Sequence, residues 1–101
     1  MKLHGKVNAP GTLGLVRAAV EASRELTIGY QGEILTVQPH ALLQAPKTHA
    51  YVLVAWDPQA GDWGYFRFAL IRGLKFESRA FVPKGRIPRA VPRGSTMKRA
   101  N

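Results

Sequence analysis

Leu13, Val16 and Val20 recur at i, i+3 and i+7 with Ala19 beside them, while Arg17, Glu21 and Arg24 fall elsewhere around the turn. Residues from Leu13 to about Arg24 therefore read as one short amphipathic helix. Pro10-Gly11 breaks the chain ahead of it, Thr12 stands at the N-cap position, Gly14 weakens the first turn and Ser23 lies near the end. The period then changes to two. Leu26, Ile28 and Tyr30 alternate with small or polar residues, and Leu35 and Val37 alternate across Glu33–Gln38, with Gln31-Gly32 as a tight turn between them. A hairpin is the simplest reading, and Pro39, which cannot donate to a ladder, must bend or stop its second strand before His40-Ala41-Leu42-Leu43. After the loop Ala45-Pro46-Lys47-Thr48, the apolar run Ala50–Trp56 predicts a strand covered on both faces. Asp57–Asp62 supplies a turn. Trp63–Leu70 alternates again, with Phe66, Phe68 and Leu70 on one side and Trp63, Tyr65 and Arg67 on the other, and Gly73–Phe76 gives a last short strand.

Five short strands after one helix describe a small barrel better than a bundle. The predicted fold is mostly β: a barrel of about five strands preceded by one α-helix. The expected organisation is a flexible lead-in at 1–12, the folded domain at 13–82 and a basic, Pro-rich disordered tail at 83–101. A chain of 101 residues has room for one core and no second folded unit. Its longest apolar run, the seven residues Ala50–Trp56, is far short of the roughly 18 needed for a membrane span. The N-terminus lacks an apolar signal core, so a cytoplasmic location is expected. With no cysteine there is no disulfide framework, thiolate nucleophile or cysteine-based zinc site.

Charge adds the first functional clue. Fifteen Lys+Arg against six Asp+Glu give +9, and residues 82–101 hold six of those cations and no acid, leaving +3 for residues 1–81. Lys84, Arg86, Arg89, Arg93, Lys98 and Arg99 thus form a candidate arm for phosphates. The alternative is general solubility or a ribosome-associated surface.

In their order and spacing these pieces resemble the bacterial WYL domain over about Val16–Val82. The resemblance is carried by the helix Val16-Arg17-Ala18-Ala19-Val20, the strand Leu26–Tyr30 ending in tyrosine, the segment Val37-Gln38-Pro39-His40-Ala41-Leu42, the strand Tyr51–Asp57 and the run Phe66-Arg67-Phe68-Ala69-Leu70-Ile71. Departures are plain. Of the triplet that names the family only Leu53 is kept, with Tyr51 and Val52 where tryptophan and tyrosine are usual, and Ala69 and Leu70 replace an acid and a second arginine. The resemblance implies an Sm-like or SH3-like barrel that senses a ligand, usually behind a winged helix-turn-helix in transcription regulators. Nothing in the sequence reads as a helix-turn-helix here, since only one helix is convincing.

Barrels of this kind bind single strands by stacking bases on aromatics and tracking phosphates with cations. Trp63, Tyr65 and Arg67 are the leading candidates, with packing of the aromatics on the helix as the alternative. Arg67 matches the family's signature arginine; its structural alternative is an ion pair with Asp57 or Asp62. Tyr30 and His40 match positions near the pocket the family implies, against the readings of a core-capping tyrosine and an exposed loop histidine. Arg72 stands two residues beyond the replaced arginine, on the face of Leu70 in an ideal strand.

No catalytic or metal constellation appears: His4, His40 and His49 lack metal spacing, no phosphate loop is present, and the acids are scattered. The sequence therefore predicts a non-catalytic regulatory or accessory module, without cofactor, metal site or membrane partner. Its expected ligand is single-stranded DNA or RNA, or a nucleotide-like effector, and a larger effector protein is a candidate partner. The competing function is a structural module that docks on a protein or forms a homo-oligomer, its tail adhering nonspecifically to nucleic acid.

Overall fold

The computed structural model describes residues 10–88, the first three by their backbone alone. Helix α1 (Pro10–Ala22) is followed by strands β1 (Arg24–Tyr30), β2 (Glu33–Gln44), β3 (Tyr51–Asp57) and β4 (Asp62–Arg67). A single 3-10 turn (Phe68–Leu70) then leads into β5 (Ile71–Ala80). All strands pair antiparallel in the order β4-β3-β2-β1-β5. The predicted helix and five strands are present. The helix opens three residues earlier than predicted, at Pro10, whose fixed φ suits a first helical position. It ends before Ser23, which takes the left-handed conformation at φ 54°.

The sheet is curled but remains open, with β4 and β5 as its edges. Its curl follows from two observations. Residues 68–70 alone connect strands at opposite edges, which a flat five-stranded sheet would hold about 19 Å apart. The Tyr30 ring on β1 also meets Phe66 on β4 edge-on at 5.2 Å, across two intervening strands. Inside the curl lie Leu26, Ile28, Tyr30, Leu35, Val37, Leu53, Ala55, Phe66 and Ile71, closed over by Val16 and Ala19 of the helix. Pairing begins at the predicted turn, where Gln31 (φ 52°) and Gly32 (φ 81°) give the two positive φ angles of a type I′ hairpin.

Pro39 bends β2 without ending it. The register with β3 jumps from Pro39–Ala55 to Ala41–Val54, leaving His40 as a bulged residue at the place where β2 turns from β1 towards β3. Two expectations are corrected. β4 stops at Arg67, so Phe68 and Leu70 belong to the 3-10 turn rather than the strand, and β5 runs to Ala80 instead of Phe76. Beyond it the described chain continues to residue 88, and the rest of the expected tail, 89–101, lies outside the described residues. Residues 81–88 lie back on the sheet, because Phe81 and Ile87 find apolar partners there.

Candidate nucleic-acid interface

The convex side of β2, β3 and β4 is apolar, which an ordinary barrel exterior is not. Val52 and Val54 of β3 and Tyr65 of β4 form a second buried cluster, bordered by Ala41, Leu43 and Trp63 and roofed by Ile87. Register explains the grouping: Val54 faces Tyr65, Val52 faces Arg67 and Trp56 faces Trp63. Trp63, Tyr65 and Arg67 thus share one face, as the alternation requires, and Phe66 points into the core. The aromatics pack on sheet residues and Ile87, not on the helix.

At one end of this face the rings of Trp56 and Trp63 meet edge-on at 5.4 Å, and Trp63 meets His40 at 4.9 Å. The Lys84 ammonium lies 4.2 Å from the Trp56 ring centre, a cation on a π face. His40 is 9% exposed and lies in the sheet, not on an open loop. Its Nδ1 is 2.8 Å from the Gln38 carbonyl and its Nε2 2.9 Å from the Lys84 backbone nitrogen. An amide can only donate, so Nε2 accepts and Nδ1 carries the proton: the imidazole is neutral. Burial holds its pKa below the ordinary 6.5; the Gln38 carbonyl raises it and the Lys84 charge lowers it further.

At the other end Arg67 is exposed, while its backbone N–H donates to the Tyr30 hydroxyl at 3.0 Å. Tyr30 is therefore a core residue that fixes the end of β4, and burial raises its phenol pKa. The alternative pairing of Arg67 with Asp57 or Asp62 does not fit. Asp57 faces Asp62 five residues along the ladder, about 17 Å from Arg67. Asp57 instead caps its own turn, accepting from the amides of Gln59 (3.0 Å) and Ala60 (3.3 Å). Arg72 is exposed on the far side of the 3-10 turn and donates to the Ala69 (2.9 Å) and Ile71 (3.3 Å) carbonyls.

The predicted residues thus fall into two groups, His40 with Trp63 at one end and Tyr30, Arg67 and Arg72 at the other, with Tyr65 between. Lys84 and Arg86 lie in the segment over the face; Arg89, Arg93, Lys98 and Arg99 are outside the described residues. Sequence reasoning passed over Trp56, which the unbroken apolar run of β3 concealed; pairing the two strands about Asp57–Asp62 would have set it opposite Trp63. It also passed over Glu25, 7% exposed, whose carboxylate accepts from Gln38 at 3.3 Å and meets Arg79 at 3.9 Å. Among the described residues no group of three or more His, Asp or Glu is placed to hold a metal, and no helix is long and apolar enough to cross a membrane.

A curled but open five-stranded antiparallel sheet, capped by one helix, defines a small, mostly β domain. The sequence profile described as the WYL domain matches residues 11–76, and the chain belongs to that family. Among solved structures it is similar to the proteasome accessory factor B/C (PafBC) of Arthrobacter aurescens, with TM-score 0.63 at 17% sequence identity. That match covers 77% of this chain and 13% of the other, so the likeness is one of fold over a small part of a larger protein. No curated protein sequence matches the chain.

Proposed function

We propose that this WYL domain is a non-catalytic regulatory module that binds single-stranded nucleic acid, or a nucleotide-like piece of it, on the convex face of β2–β4. The observation that carries the reading is the shared face of Trp63, Tyr65 and Arg67, with Trp56 beside it and Arg67 exposed at its end. Rings of this kind stack bases at roughly 1–3 kcal/mol each, whatever the sequence, while guanidinium groups hold phosphates. Arg67, Lys84 and Arg86 supply the cations at the face, Arg72 stands beyond the 3-10 turn, and the basic residues 89–99 add to the net charge.

The test is a titration of a labelled short oligothymidylate with the full chain and with Arg67→Ala. A charge-assisted phosphate contact is worth about 1.5–3 kcal/mol, so affinity falls roughly ten- to a hundred-fold. Arg67→Lys recovers part of it, because an ammonium lacks the bidentate fork. Unchanged melting accompanies the loss, since the side chain is exposed. If Arg67→Ala binds as the parent does, the face is not the site. A protein-docking role then gains weight, and Ile34, 80% exposed at the hairpin tip, is the side chain on which it would centre.

A further inference from the structure

The face proposed for bases is already covered. Tyr65 is 9% exposed beneath Ile87, and the Lys84 ammonium sits on the Trp56 ring where a base would stack. We propose that residues 81–88 form a displaceable strap, an intramolecular competitor for single-stranded nucleic acid, whose clasp is the His40 imidazole accepting the Lys84 amide. The inference rests on the functional reading above and specifies how that site is regulated.

The strap's attachments are separable from the fold. Phe81 anchors its start, its amide donating to the Ser23 carbonyl at 3.0 Å. From Val82 to Pro88, among the described residues, no backbone–backbone hydrogen bond joins the strap to the sheet. What holds it is the His40–Lys84 hydrogen bond, the tilted Phe81–His40 ring contact at 5.2 Å, the Lys84 cation on Trp56 and the apolar seat of Ile87. Between the strap residues Gly85–Pro88 and Ala41 and Leu43 a groove of about 640 Å³ stays open beside the Ile87 seat. Lifting the strap breaks no ion pair of Lys84 among the described residues, since its ammonium rests on a neutral ring. A base replaces the ammonium on Trp56, and Lys84 is released to meet phosphates alongside the exposed Arg86.

The clasp is sensitive to acid because of its hydrogen-bond polarity. Protonation would place an Nε2–H against the Lys84 N–H, two donors at 2.9 Å, and a second positive charge beside the Lys84 ammonium. The groups packed on the ring offer no carboxylate to compensate: Gln38 accepts through its carbonyl, while Trp63, Phe81 and Lys84 make the other contacts. Glu25 reaches the ring only through the Gln38 amide, and Asp62 only through the Trp63 N–H at 2.8 Å. The closed form therefore binds the His40 proton less well than the open form. Closure is at full strength above the ordinary value of 6.5 and weakens as pH falls below it.

The experiment measures oligothymidylate affinity and, without nucleic acid, hydrogen-exchange protection of the Lys84 amide, each from about pH 7.5 to about pH 5.5. It compares the full chain, His40→Phe, which keeps the ring but not the acceptor, and Ile87→Ser, which loosens the strap with the clasp intact. If the strap is closed about nine-tenths of the time, opening it tightens apparent binding about ten-fold. Both variants then bind more tightly than the parent near pH 7.5. The parent gains affinity and loses Lys84 protection on acidification, and His40→Phe gains no affinity with acid. Variants that bind no tighter than the parent overturn the competitor. Lys84 protection that ignores pH overturns the clasp, whatever the oligonucleotide does. Absence of binding by all three proteins overturns the functional reading instead.

Discussion

Gly29 is held to hydrogen by its neighbour across the ladder: a Cβ there would overlap the Arg72 carbonyl, where the β1–β5 register shifts. Backbone cannot yield as a side-chain tip does, so Gly29→Ala is expected to cost about 2–3 kcal/mol in chemical denaturation. Gly14 is the internal control. A Cβ at this helical position meets nothing within 4 Å, and Gly14→Ala is expected to stabilise by about 0.5–1 kcal/mol through helix propensity. Tyr30 is a different case, since its hydroxyl accepts the Arg67 amide at 3.0 Å. Tyr30→Phe keeps the ring on Phe66 but leaves that N–H without its acceptor, for a loss of about 1–3 kcal/mol in the same assay. If Tyr30→Phe melts like the parent, water has replaced the hydroxyl and the end of β4 is wetter than its burial indicates.

At the scale of elements, period decided what could be read from the sequence. The switch from a 3.6-residue to a two-residue repeat after Arg24, the Gln31-Gly32 turn and the Pro39 bend located the helix, the first hairpin and the break in β2. Apolar alternation carried Trp63–Leu70 one step too far, because Phe68 keeps a core-facing phase while the backbone leaves the sheet for a 3-10 turn. Trp63, Tyr65 and Arg67 were legible as one face for the same periodic reason. What covers that face was not, since a segment rich in Pro and Lys/Arg reads as tail, and its seat depends on a bulge and a paired tryptophan hidden in an apolar run. The difference between strand and turn can be measured. Leu53 is fully buried between paired strands, and Leu53→Ala is expected to lower stability by about 2–5 kcal/mol. Phe68 is half-buried on the turn, so Phe68→Ala should cost less, and equal losses would restore Phe68 to the core proper.

For the whole molecule, six of the nine net positive charges lie beyond residue 81, two of them on the strap (Lys84 and Arg86) and four beyond it (Arg89, Arg93, Lys98 and Arg99). Deleting residues 83–101 would remove both, uncovering Trp56 and Tyr65 while discarding six cations, two changes that oppose each other in affinity. Changing Arg89, Arg93, Lys98 and Arg99 to glutamine isolates the second. Binding to a single strand loses about 0.7 of log–log salt slope for each phosphate left unneutralised, so the fourfold variant is expected to flatten the slope by up to about 2.8. Affinity should fall most at low salt, where counterion release contributes most, and the melting temperature should hold because the strap is intact. Loosening the strap through Ile87→Ser predicts the opposite pairing: tighter binding with the slope kept or steepened as Lys84 is released towards phosphates. A fourfold variant with the parent's salt slope would show that these four cations do not neutralise phosphate in the complex. The charge that matters would then be confined to Arg67, Arg72, Lys84 and Arg86 on the domain itself.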